Sequence, residues 1–151
     1  MNRPISIDQD DPEEALFLLS AHQDLMESLF PSESNHYLKL DGLREDHIRF
    51  FIARVENEVL GCGALSLQGS YGEVKSMHVG EAARGQGIAK ALLNRLIIEA
   101  KRNHLPLLRL ETGNKLQAAH ALYKQAGFVM RGPFGDYRDD PNSLFMELRL
   151  L

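Results

Sequence analysis

A chain of 151 residues, 44% hydrophobic and 25% charged, is composed like one globular domain with a full core. Its net charge of −4 and its lack of any cluster of five or more Lys/Arg exclude the electrostatic footprint of a nucleic-acid binder. No apolar run approaches the roughly 20 residues that span a bilayer, and the opening stretch MNRPISIDQDDPEE has no apolar core of signal-peptide length. The single cysteine, Cys62, cannot form an internal disulfide. These features predict a cytoplasmic protein with neither nucleic-acid nor membrane partners.

Ile5 to Asp8 alternates apolar and polar residues, which suits a short first strand. Asp11 and Pro12 start a helix, with Glu13 and Glu14 in its first turn and Leu16, Leu18, Leu19, Leu25, Met26 and Leu29 as its apolar face. Pro31 to Asp41 is polar and irregular, a loop with room for a short helix. Arg49 to Glu56 and Val59 to Gln68 read as a hairpin turning at Asn57 and Glu58. Gly61 and Gly63 within the second strand point to a bulge or a close approach of another element. Gly72 to Val79 (GEVKSMHV) is a third strand in this series.

The loop Arg84-Gly85-Gln86-Gly87 then leads into a helix running to about Asn103. Leu107 to Thr112 is a strand, Gln117 to Gln125 a helix with Gly127 as its C-terminal cap, Phe128 to Met130 a strand, Gly132 to Asn142 a turn-rich loop, and Ser143 to Leu150 a last strand. The expected architecture is one α/β domain, a mixed central sheet with helices on its faces.

A glycine-bearing turn at a helix start aims several unpaired backbone N–H groups in one direction, where the helix dipole also favours an anion. Gly80 and Gly85 have the spacing of a P-loop, but Gln86 and Gly87 follow where Lys and Ser/Thr are needed. Gly85 and Gly87 begin a dinucleotide fingerprint, but Lys90 occupies its third glycine place. Arg84, Gly87 and Ala89 instead fit Arg/Gln-x-x-Gly-x-Gly/Ala. With the preceding strand, and with LYKQAGF (Leu122 to Phe128) downstream, this pattern resembles the GNAT superfamily of acyl-CoA-dependent N-acetyltransferases. PSESNH, GCGAL, LETG and PFGDY extend the resemblance, across nearly the whole chain, to a bacterial branch of small GNAT proteins.

The resemblance implies a single N-acetyltransferase domain over residues 1–151 (α+β, with splayed central strands) and acetyl-CoA as donor. Arg84, Gly85, Gln86, Gly87, Ile88 and Ala89 would hold the pyrophosphate. Met77, His78 and Val79 would line the pantetheine arm, and the amide of Met77 or Val79 would polarise the thioester carbonyl. Tyr123 would protonate the departing thiolate. The base would be Glu73 or Glu111, acting directly or through a water. Glu73 is favoured because its place six residues before Val79 resembles that of the glutamate base in the histone-acetylating members, and the even spacing would put both on one side of the strand. Leu116 stands where many family members carry an amide side chain, which leaves Asn114 or Gln117 as substitutes for that cofactor contact. The acceptor, a primary amine of a small molecule or peptide, would meet Glu33, Ser34, His36, Asp136 and Tyr137.

No metal is expected. Cys62 reads as a small core residue, and His104 and His120 as surface residues. The apolar last strand is compatible with a homodimer. A catalytically silent acyl-CoA-binding sensor is the alternative reading.

Overall fold

The computed structural model describes residues 3–151. Among the described residues, seven strands and four α-helices follow one another as β1 (Ser6–Gln9), α1 (Leu16–Leu29), α2 (Leu40–Leu43), β2 (Ile48–Val55), β3 (Glu58–Leu67), β4 (Gly72–Val79), α3 (Ile88–Arg102), β5 (Leu107–Gly113), α4 (Gln117–Gln125), β6 (Val129–Arg131) and β7 (Ser143–Arg149). The strands form one mixed sheet in the order β1-β2-β3-β4-β5-β7-β6, in which only β4 and β5 run parallel.

The sheet has a core on each face. On one, Leu18 and Leu19 of α1 and Leu43 of α2 pack on Phe50, Ile52, Cys62 and Ala64. On the other, Ile88, Leu92, Leu93 and Leu96 of α3 cover Phe51, Ala53, Leu65, Val74 and Leu108. Close neighbours on this face explain the two strand glycines. A Cβ at Gly61 would lie 2.9 Å from the Ile88 side chain, and one at Gly63 would lie 2.6 Å from Met77 Sδ. The bare Gly61 lets α3 sit directly against the backbone of β3, and the bare Gly63 leaves room for the Met77 side chain of β4.

Local details depart from the sequence reading by small, physical amounts. Asp11 caps through its carboxylate to the Glu13 amide, but the chain first makes one 3-10 turn, Pro12–Ala15, before α1 begins. The β2–β3 turn falls at Glu56 and Asn57, with φ of 52° and 67°, one residue earlier than expected. Both central residues of so tight a hairpin take positive φ because that twist matches the flanking strands.

Candidate active site

The helix α3 opens at Gly87, whose φ of 82° follows a φ of 81° at Gly85. A Cβ at either position would meet nothing within 4 Å, so the glycines are required by the left-handed backbone and not by crowding. Among the described residues no side chain caps this helix start. Its first amides therefore face open space beside Arg84 and Lys90, at one end of a cleft of about 750 Å³. The cleft runs from this loop past Met77, His78 and Val79 of β4 and along Gln117, Ala118 and Ala121 of α4. Arg84, Gly85, Gly87, Ile88 and Ala89 line it, whereas the exposed Gln86 does not.

The cleft reaches the middle of the sheet because β4 and β5 part company. Their register is Gly72 to Leu108 and Glu73 to Arg109, and no further rung follows. β4 also carries a bulge. Cys62 of β3 pairs with His78 and Ala64 with Lys75, so Ser76 and Met77 together face the single residue Gly63. Ser76 absorbs the extra residue with a φ of 56°, unusual for a side-chain-bearing residue.

The bulge corrects the parity expected for this strand. Glu73, Lys75 and His78 share the face of Ser66, Ala64 and Cys62, whereas Val79 pairs with Gly61 on the opposite face, with Val74. Glu73 and Val79 thus lie on opposite faces of the sheet.

Tyr123 is fixed by the end of its own helix. The Phe128 amide donates to the Tyr123 carbonyl at 3.0 Å and the Gly127 amide to the Lys124 carbonyl at 3.0 Å, with Gly127 at a φ of 103°. This is a Schellman closure, and its usual apolar partner contact is the tilted pair of the Tyr123 and Phe128 rings, 5.6 Å apart. The spacing L-Y-x-x-x-G-F is the sequence image of that geometry. The Tyr123 ring is buried and lines both the cofactor-sized cleft and a smaller chamber beyond it. Burial, and secondarily the Glu111 carboxylate, push its pKa up, so the hydroxyl stays protonated well above neutrality.

The chamber, about 100 Å³, lies where the strands have separated. Glu73 and Lys75 line it and are joined at 3.3 Å. Tyr137 donates to Glu73 Oε2 at 2.5 Å and accepts from Lys75 Nζ at 3.0 Å. Across the gap, Glu111 accepts from Ser143 Oγ at 2.7 Å. Burial raises the Glu111 pKa against the opposing pull of Ser143 and Lys75.

Ser34 and His36 also line the chamber. Ser34 donates to Asp140 at 2.6 Å, and His36 stands edge-on to Tyr137 with ring centroids 5.0 Å apart. Glu33 and Asp136, expected beside the acceptor, are exposed and line neither space. Asn114 is likewise outside, its amide tied to the Pro141 carbonyl at 3.0 Å. Gln117 lines the cleft instead.

Three residues at the site, His22, Lys75 and Asn35, had no signal in sequence spacing. His22 and His78 meet through their Nδ1 atoms at 3.3 Å, from positions 56 residues apart. Burial and the neighbouring His78 bring the His22 pKa down to about 4, and burial with the nearby Arg84 lowers that of His78.

A sequence profile described as the Acetyltransferase (GNAT) family matches residues 15–128. The chain belongs to the GNAT family. Among curated GNAT relatives, an IAA acetyltransferase of Azospirillum brasilense is 50% identical over 121 residues, 79% of either chain. An uncharacterized N-acetyltransferase of Bacillus subtilis is 38% identical over 149 residues, 97% of this chain and 99% of its own. A solved structure from Klebsiella pneumoniae, described as an acyl-CoA N-acyltransferase, superimposes with a TM-score of 0.81 at 32% identity, covering 97% of this chain and 98% of the other. The GNAT assignment makes the protein an acyltransferase.

Two side residues of this GNAT domain complete the description. Cys62 is fully buried and burial pushes its thiol up to about 12, so it is inert packing in the α1 core. His120 is not a free surface residue: its Nε2 lies 2.8 Å from the Gly113 carbonyl and ties α4 to the end of β5.

Proposed function

We propose that the protein transfers an acetyl group from acetyl-CoA directly to a primary amine of a small molecule or peptide. The observation that carries this reading is the opened sheet, with Tyr123 lining both the cleft and the chamber. The uncapped start of α3, with Arg84 and Lys90 beside it, suits a pyrophosphate. From there the cleft leads to the parted strands, where the amide of Met77 or Val79 would polarise the thioester carbonyl.

The amine nitrogen attacks the thioester carbon, the C–S bond breaks, and Tyr123 gives its proton to the thiolate. An amine with a pKa near 10.4 must first lose a proton. Of the two carboxylates, Glu111 suits that step better. Glu73 already accepts from both Lys75 and Tyr137 on its Oε2, and these two contacts hold its carboxylate in place. Glu111 has one donor, Ser143, and burial makes it more basic. Glu73 then serves as the counterion that fixes Lys75 and Tyr137.

The deciding experiment mixes the protein with acetyl-CoA and a panel of amines and follows free thiol, with thermal shift as a parallel measure of cofactor binding. IAA, the acceptor named for the Azospirillum relative, belongs in the panel. Thiol release dependent on an amine is the expected result. A thermal shift with no thiol release for any acceptor would instead make this an acyl-CoA sensor.

A further inference from the structure

We propose that the acceptor is a free α-amino acid, held as a zwitterion across the parted strands with its carboxylate on Lys75 and its ammonium between Glu111 and Asn35. The inference rests on the acetyl-transfer reading and names its substrate class.

The register places the two charges. Glu73 and Arg109 form the last rung between β4 and β5. Lys75 and Glu111 each lie two residues beyond it on parallel strands, so their side chains emerge from the same face on opposite sides of the gap. A positive and a negative group therefore border one small chamber, and both line it.

Each has bonding capacity left over. The Lys75 side chain is only 13% exposed and gives two of its three ammonium protons to Glu73 Oε2 and Tyr137 Oη. Among the described residues nothing accepts the third. Glu111 takes Ser143 on Oε2, and no protein donor reaches its other oxygen among the described residues. Among the described residues the buried Oδ1 of Asn35 has no hydrogen-bond partner, although Asn35 lines the same chamber. An orphaned buried acceptor costs stability unless a ligand supplies a donor. One donor for an anion and two acceptors for a cation, within a space of about 100 Å³, fit the two ends of an amino acid.

The same lysine argues against other amines. A diamine or polyamine would present a second ammonium, and no acceptor, to the third Lys75 proton. An uncharged amine would leave the third Lys75 proton unmatched.

The test uses the wild-type protein with acetyl-CoA and matched acceptors: phenylalanine, phenylalaninamide and phenethylamine, then leucine and its decarboxylated amine. The expected result is a kcat/KM at least about 100-fold higher for each acid than for its amide or amine. K75M should compress that ratio to within about threefold, mainly through KM for the acid. Y137F retains the ring and removes the hydroxyl that fixes Lys75, and it should reduce the ratio part of the way. Amines and amides turned over as well as the acids would overturn the zwitterion proposal while leaving acetyl transfer intact. A thermal shift with acetyl-CoA but no transfer to any acceptor would overturn the acetyl-transfer reading itself. Because the wild-type panel decides between these results, the proposal does not depend on K75M folding.

Discussion

Replacing Tyr123 by Phe separates catalysis from packing at one atom. The ring would stay against Phe128 and within the α4 closure, because both contacts belong to the ring and the backbone. Among the described residues no protein group bonds the Tyr123 hydroxyl, so its removal breaks no hydrogen bond. Folding stability should therefore change by less than about 1 kcal/mol. The rate is another matter. A thiol with a pKa near 8.5 leaves poorly as an unprotonated thiolate in a buried site, and a placed proton donor contributes roughly 10²- to 10⁴-fold. At 1.36 kcal/mol per decade this is about 3–5 kcal/mol of barrier. The assay is steady-state thiol release with saturating acetyl-CoA, beside a denaturant titration of both proteins. The expected outcome is kcat lowered by at least about 100-fold with an unchanged unfolding midpoint. A kcat within threefold of wild type would refute the donor role and leave Tyr123 as a packing residue.

Other expectations follow from the same geometry. For wild type, kcat/KM should rise with pH as Glu111 ionises, with a midpoint above the ordinary 4.5 because burial raises it, and E111Q should lose this limb and about 100-fold in rate. His22 should make stability fall with acidity. Its folded pKa of about 4 lies below the 6.5 of the unfolded chain, so between those values the unfolded state binds the extra proton and gains. The loss should approach about 3 kcal/mol by pH 4, measured as unfolding midpoints against pH, and H22N should flatten it. G113A should cost about 1–3 kcal/mol, because its Cβ would fall 2.2 Å from the Phe30 ring. Adding Phe30→Leu to that variant should recover part of the loss, a non-additivity expected for two groups in contact.

What could be read from the sequence was local. The Arg84–Ala89 loop shows itself through two glycines and a helical apolar period, and both are determined within a dozen residues. The α4 closure is equally local, since Leu122 to Phe128 encode their own cap. The parity of β4 was not legible. The bulge rests on Ser76, which takes a conformation that serine does not advertise, and a single extra residue reverses every assignment beyond it. Nor could spacing reveal the chamber. Glu73 meets Tyr137 across 64 residues and Ser34 meets Asp140 across 106, and such pairings exist only once the sheet has assembled. Asn114 and Asp136 lie close in the chain to residues of the site, but their side chains turn outward.

The two rungs between β4 and β5 make the sheet a pair of smaller sheets stitched at one corner. One piece holds β1 to β4 and the other β5, β7 and β6, and α3 is the covalent bridge between them. A coenzyme arm lying along the open edges would supply the missing stitches, so the donor substrate would also be a structural member. A chain severed in the turn after α3 would then be a split reporter, with its two fragments held together more firmly when the coenzyme is present. Slowed hydrogen exchange along the open end of β4 would register the same clasp in the intact protein.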